Sequence, residues 1–167
     1  NGFPMSAIIG RDAVMEAAQE SFVSSTYWTE AIGPTAAVAT LARLESTEVC
    51  RHIAASGSAV LAGWKAAAAR HQLPVKVSGI PALCLLGFEA GPQSRAMMTL
   101  FTQEMLARGF LAAGAYYPTL AHRPEVIESY LQAVDEVFAF QKAKLDQGPI
   151  TDALRGPVAQ SGFARLT

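Results

Sequence analysis

The stretch PVKVSGIPALCLLGFEAG, residues 74–91, decides the fold. Its first half alternates apolar and polar residues from Val75, and its second half is a nearly continuous apolar run. Two runs of this kind, one directly after the other, are typical of adjacent β-strands. Pro74 ends the helix that precedes them, and the pair Gly91-Pro92 closes the unit. We therefore expect a β-hairpin at this point of the chain.

A helix and a broken strand segment follow the hairpin. The residues Met97, Leu100, Phe101 and Met105 recur at helical spacing and predict an amphipathic helix that stops at Gly109. The next segment, FLAAGAYYPTLAH, is interrupted by Gly and Pro and predicts one or two short strands.

The last long helix completes the fold class. Pro124 suits its first turn, and the helix is expected to end near Lys144. Its apolar residues recur at helical spacing and are Ile127, Tyr130, Leu131, Val134, Val137 and Phe138. The order helix–strand–strand–helix–strand–helix predicts an α+β fold, in which a small antiparallel sheet carries helices on one face.

Two helices before the hairpin predict a long helical arm. Pro34 fits the first turn of the first helix, which contains several alanines. The second helix is expected to start with Ser46 or Thr47 as its N-cap and to continue to about His71. The arm therefore extends over residues 33–73.

The N-terminal residues predict the end of another unit. Met5–Ile9 is a short apolar run that predicts a strand, Arg11–Glu20 predicts a helix, and Ser21–Trp28 predicts a second short strand before a loop. Because the chain opens on the turn dipeptide Asn1-Gly2, directly before a strand and helix, we expect it to be part of a larger protein.

Four parts are expected from this organisation. They are the remnant of a preceding domain, the helical arm, a small α+β domain and a surface tail that contains two Gly-Pro pairs. Their bounds are 1–32, 33–73, 74–147 and 148–167.

Composition narrows the class of protein. Apolar residues make up 51% of the 167, charged residues make up 16%, and the formal net charge is -1, which disfavours disorder and nucleic-acid binding. No apolar stretch reaches the length of a membrane span, and the N-terminus lacks the pattern of a secretory signal. Cys50 and Cys84 have no paired spacing and are interpreted as small buried hydrophobes of a protein in a reducing, cytoplasmic compartment.

Residue patterns alone leave the chemistry open. The hydroxyl-rich loop Ser24–Glu30 has groups that can bind a phosphate, although a capped helix start explains it equally simply and is the preferred interpretation. The three histidines have no metal-ligand spacing, so no metal is expected, and His122 is expected to be structural. The four lysines could each be proposed as an amine nucleophile, but all are expected to be solvated. They are Lys65, Lys76, Lys142 and Lys144.

Five segments in order carry a family resemblance. They are NGFPMSAIIGRDAVM, SSTYWTEAIGPTAAVATL, FTQEMLARGFL, YPTLAH and GPVAQSGFARLT. Together they resemble the C-terminal part of class III, fold type I aminotransferases, and most of all the glutamate-1-semialdehyde aminomutase-like branch. The resemblance extends over nearly the whole chain. It implies a homodimeric enzyme that transfers an amino group through a Schiff base with pyridoxal 5′-phosphate.

The same resemblance implies roles for particular positions. In the family the Schiff-base lysine precedes a turn similar to that at Asn1, so it is expected just upstream of this chain, which alone would be inactive. Thr26 is expected to bind the phosphate of the neighbouring subunit's cofactor, with the backbone of Ser25 beside it. Tyr116 and Tyr117 either line the opening of the substrate site or pack against the rest of the domain, and we prefer the packing role.

Two alternatives stay open at this point. The segment before the pair AH in LAAGAYYPTLAH lacks the acidic residue that aminomutases of this branch tend to have, which leaves a general transaminase possible. The other alternative is a stand-alone α+β binding or oligomerisation module without catalysis.

Overall fold

A computed structural model describes residues 2–22, 29–160 and 162. It divides the chain into two compact units, Asn1–Val49 and Cys50–Thr167. The predicted bounds at residues 33, 74 and 148 stay predictions. None of the helices among the described residues has both the length and the hydropathy that crossing a bilayer requires.

Among its described residues, the first unit contains two helices, α1 (Asp12–Gln19) and α2 (Ile32–Ser46). The predicted helix over Arg11–Glu20 is confirmed, but the strand predicted at Met5–Ile9 is wrong, because these residues form no regular element. A strand needs a neighbouring strand to satisfy its backbone groups, and residues 2–22 and 29–49 contain none. Most of the strand predicted at Ser21–Trp28 lies outside the described residues.

Side chains mark both ends of α2. The carboxylate of Glu30 accepts the amide hydrogen of Ile32 at 2.6 Å, and the predicted position of Pro34 in the first turn is confirmed. The N-cap role predicted for Ser46 or Thr47 is wrong. Both hydroxyls donate backwards to the carbonyl of Arg43, at 3.2 and 2.7 Å, so they close α2 and do not open the next helix.

The second unit is built from the next helix onward. Its helices are α3 (Val49–His71), α4 (Ser94–Ala107) and α5 (Pro124–Gln147), and its strands are β1 (Val75–Ile80), β2 (Leu83–Phe88) and β3 (Ala115–Tyr116). The strands form one antiparallel sheet in the order β1-β2-β3. The hairpin, the helices and the α+β class predicted from the sequence are therefore confirmed.

One hydrophobic core joins the three helices to the sheet. Alternate residues of β2, namely Cys84, Leu86 and Phe88, point into it. Phe88 packs against Phe101 of α4 and Phe138 of α5, and the three ring centroids lie 6.0 to 6.3 Å apart. Cys84 is buried as predicted, but Cys50 is exposed, because it lies in the first turn of α3 and the core residues of that helix begin only at Val60.

The tail after α5 is partly anchored in this core. Ile150, in a short 3-10 turn at Ile150–Ala153, is fully buried, and Val158 packs against the core from outside. The surface path predicted for residues 148–167 therefore describes only part of the tail.

Helix α3 approaches the hairpin turn without a side chain between them. A Cβ atom added at Gly57 would lie 1.8 Å from the carbonyl oxygen of Pro81, in the turn between β1 and β2. Beneath this contact, the Cys84 thiol lies 3.5 Å from the Gly57 carbonyl oxygen. Only glycine permits this separation, so α3 is part of the domain core and not only an arm.

The substitution Gly57→Ala is expected to destabilise the protein by about 3 kcal/mol, because backbone has to move to make room for the methyl group. Urea unfolding measures this. Gly87→Ala is the matched control, since a Cβ at that position of β2 meets nothing within 4 Å. Equal unfolding midpoints for Gly57→Ala and the unsubstituted protein would show that the contact is absent in solution.

Candidate functional site beside the 117–123 loop

The two predicted cofactor-binding residues, Ser25 and Thr26, lie outside the described residues. Of the hydroxyl-rich segment Ser24–Glu30, the structure describes only the last two residues, and Glu30 caps α2. The phosphate-binding role of Ser25 and Thr26 therefore stays a prediction.

The four lysines are at the protein surface, as predicted. Lys65 is exposed, Lys76 lies 3.5 Å from the carboxylate of Glu89, and Lys142 pairs with Asp146. Lys144 lies over the Phe140 ring, 5.5 Å from its centroid. A lysine that attaches a cofactor lies in a desolvated site, and none of these four amines is buried.

The best organised polar site of the second unit is the loop between β3 and α5. In this loop the Thr119 carbonyl accepts hydrogen bonds from the His122 amide at 3.0 Å and from the His52 ring at 3.1 Å. The Thr119 amide donates to Nδ1 of His122 at 3.2 Å, and the Thr119 hydroxyl accepts from the Ala121 amide at 3.3 Å. Every polar group of Thr119 is thus engaged, which fixes the shape of residues 117–123.

The same bonds assign protons on both histidine rings. A carbonyl oxygen only accepts, so Nε2 of His52 carries a hydrogen, and Ser56 Oγ, 3.3 Å away, faces a donor. His52 therefore cannot serve as the general base for Ser56, which is also buried. In neutral His122, Nδ1 accepts and the hydrogen is on Nε2. Both histidines position the loop, in line with the structural role predicted for His122.

An aromatic cavity adjoins this loop. The Tyr116 ring stacks on His122 on one side, with centroids 4.9 Å apart, and on Tyr130 on the other, 6.1 Å apart. These three rings and Phe110 line a cavity of about 210 Å³. Tyr116 therefore packs, as preferred from the sequence, whereas Tyr117 is 64% exposed and is free to contact another molecule.

Burial changes the acidity of the tyrosines. Desolvation raises the pKa of the Tyr130 hydroxyl well above its ordinary value, although the hydrogen bond from Trp64 Nε1, at 3.0 Å, opposes part of the shift. Desolvation also raises the pKa of Tyr116, and the nearby Cys84 thiol adds to the effect. Both phenols stay neutral at physiological pH. Neither is poised as a base.

The hydrogen bonds and ring contacts around the 117–123 loop therefore hold side chains in place and do not activate any of them as a base or nucleophile. No cluster of three potential metal ligands occurs among the residues that the structure describes. The bond between His52 and Thr119 could not be found from the sequence, because 67 residues separate the partners and neither has a local motif. The contact between Trp64 and Tyr130, 66 residues apart, was missed for the same reason.

The raised pKa of Tyr130 predicts a loss of stability in alkali. A phenol whose pKa is higher in the folded state than in the unfolded state stabilises the folded state. This stabilisation is fully present below the unfolded pKa of about 10, and it decreases as the pH rises beyond that value. The free energy of unfolding should thus decrease between about pH 9 and about pH 11. Tyr130→Phe should flatten this decrease, and Tyr117→Phe should leave it unchanged. A decrease of equal slope in Tyr130→Phe would contradict the assignment.

Two aminotransferases are similar to this chain in sequence. Aminopentol aminotransferase of Sphingopyxis macrogoltabida is 29% identical over 166 residues, which cover 93% of this chain and 38% of that protein. The 2'-deamino-2'-hydroxyneamine transaminase of Streptomyces kanamyceticus is 29% identical over 147 residues, which cover 82% of this chain and 36% of that protein. The chain thus spans less than two fifths of the length of these relatives. No family model matches it.

A solved structure is similar in fold. It is the pyridoxal-phosphate internal aldimine form of the FumI protein of Sphingopyxis sp. MTA144. The TM-score is 0.72 at 23% sequence identity, and the match covers 87% of this chain and 36% of that one. The predicted cofactor, pyridoxal 5′-phosphate, is the one in this neighbour's description. The predicted resemblance is therefore confirmed: the chain is related in sequence to aminotransferases and has the fold of one part of a pyridoxal-phosphate enzyme.

Proposed function

We propose that this chain is the C-terminal part of a pyridoxal-phosphate-dependent aminotransferase. The observation that carries the proposal is the coverage of the match with aminopentol aminotransferase, which includes 93% of this chain but only 38% of the relative. The surface positions of all four lysines support it, because the residue that attaches the cofactor then belongs to another part of the enzyme. We place that lysine just upstream of Asn1.

The described residues do not form a cofactor site by themselves. They lack a desolvated lysine, and the amide, carbonyl and hydroxyl of Thr119 in the 117–123 loop are engaged with His122, His52 and Ala121. Their proposed role is to shape the substrate side of the active site, where Tyr117 and Leu120, which are exposed on a fixed loop, contact the substrate.

Phosphate binding is assigned to the hydroxyl-rich loop. In the proposed homodimer, the Thr26 hydroxyl and the Ser25 amide of one subunit donate to the phosphate of the other subunit's cofactor. A phosphate dianion has only acceptors, so donors of this kind suit it. The proposed compartment is the cytoplasm.

Transamination is proposed ahead of aminomutation. Both relatives are named as amino-transferring enzymes, and the segment before Ala121 and His122 lacks an acidic residue. The names of the two relatives refer to an aminopentol and to a hydroxylated neamine, which are both polyhydroxylated amines. We propose a polyhydroxylated amine as the amino donor here as well, with the Tyr117 hydroxyl available for a hydrogen bond.

The chain alone is expected to form no specific covalent adduct with pyridoxal phosphate. The test incubates the purified chain with the cofactor, reduces with borohydride and locates the adducts by mass spectrometry. Low, similar labelling at Lys65, Lys76, Lys142 and Lys144 is expected, because all are solvated amines. Stoichiometric labelling of one of them, together with transaminase activity, would contradict the proposal.

In the full protein that carries this chain, Thr26→Ala is expected to weaken pyridoxal phosphate binding about tenfold or more, because one hydrogen bond to a charged group is lost. The dissociation constant is measured from the absorbance of the bound cofactor. Thr26→Ser, which keeps the hydroxyl, is the matched control and should bind nearly as well as the unsubstituted protein. An unchanged constant in Thr26→Ala would remove Thr26 from the site and leave the family assignment intact.

A further inference from the structure

Polar side chains of α4 bind the main chain of the C-terminal tail. The side-chain amide of Gln103 donates through Nε2 to the Ala153 carbonyl at 3.1 Å, and its Oε1 accepts from the backbone amide of Arg155 at 2.8 Å. One turn earlier, the Thr99 hydroxyl accepts from the Ala159 amide at 3.1 Å. Residues four apart lie on one face of a helix, so α4 presents a row of acceptors to an extended segment.

The two parts of the tail are attached with unequal strength. The first part is fixed by Ile150, whose side chain is fully buried and whose amide donates to Gln93 at 3.1 Å. Beyond Leu154, the described contacts are the bonds to Gln103 and Thr99 and the partly buried side chain of Val158. Each such hydrogen bond contributes only about 1 kcal/mol net, so this part can open while the core stays folded.

A cavity lies between the tail and the start of α4. Its volume is about 580 Å³. One wall is formed by residues 91–96, which include the buried Ala96, and a second wall by Pro149, Thr151 and Val158, of which only Val158 belongs to the outer part of the tail. Movement of Val158 away from α4 removes part of that second wall.

We propose that residues 154–160 act as a strap that opens as one unit and thereby widens the cavity at the start of α4. Only three residues lie between the two bonded amides, those of Arg155 and Ala159, and the fixed φ of Pro157 removes one of the backbone rotations between them. The hinge is at Leu154, where the tail leaves the anchored 3-10 turn. This inference does not depend on the proposed function.

Amide hydrogen exchange by NMR tests whether the strap opens as a unit. Thr99→Val removes the acceptor of the Ala159 amide and leaves Gln103 in place. Exchange of the Ala159 amide should accelerate about fivefold, as expected for one lost hydrogen bond, and exchange of the Arg155 amide should accelerate with it. Acceleration at Ala159 alone, or at neither amide, would overturn the proposal.

Two variants serve as controls for this test. Thr102→Val, on the exposed side of the same helix, should leave both amides unchanged. Val158→Ala weakens the apolar anchor from the strap itself, so it should accelerate both amides even if Thr99→Val disturbs the helix. Protection of the α5 amides in each variant verifies that the core is folded.

Thiol labelling tests the cavity. A cysteine introduced by Ala96→Cys lies in the wall of the cavity that Val158 also lines, and its rate of alkylation should rise about fivefold when Thr99→Val is added. Mass spectrometry distinguishes it from Cys50 and Cys84. An unchanged rate, with accelerated exchange at both strap amides, would overturn the claim that opening of the strap widens the cavity.

Discussion

The hydrogen bond from the Trp64 indole to the Tyr130 hydroxyl is the interaction on which the rest of the second unit depends. Both side chains are buried, and the bond joins α3 to α5 inside the core. Loss of either partner would leave a desolvated polar group, at a cost of about 1 to 3 kcal/mol. The Tyr130 ring in turn supports Tyr116, and Tyr116 stacks on His122, which binds the Thr119 amide. The shape of the 117–123 loop therefore follows from contacts made deep in the core.

This dependence explains what the unit is able to do. The rings of His52 and His122 are hydrogen-bonded to Thr119, and the Tyr130 hydroxyl to Trp64, so these groups position the structure and do not act as a base or nucleophile. What the loop offers to another molecule is the exposed side chains of Tyr117 and Leu120 at fixed positions. A rigid unit that presents side chains but lacks a reactive amine is consistent with a chain that spans less than two fifths of its aminotransferase relatives.

Local sequence patterns predicted the helices and strands of the second unit. They failed where an element depends on a contact with residues far away in the sequence. Hydrophobic spacing located the hairpin and the helices α4 and α5, because their apolar faces meet within the same unit. The apolar run Met5–Ile9 has the composition of a strand but no partner strand among the described residues. Ser and Thr at positions 46 and 47 suit the start of a helix as well as the end of one. The hydrogen bonds of their hydroxyls to the Arg43 carbonyl show that they end α2. The cofactor and the roles of Ser25 and Thr26 came from family resemblance, since no spacing of residues implies them.

Exchange of the Trp64 indole hydrogen tests the central claim most directly, namely that α3, α5 and the loop form one rigid scaffold. If the scaffold is rigid, we expect this hydrogen to exchange only when the whole unit unfolds, at the same free energy of opening as the most protected amides of α5. Exchange near the rate of a free indole would show that the bond to Tyr130 is absent in solution, and the account of the fixed loop would be wrong.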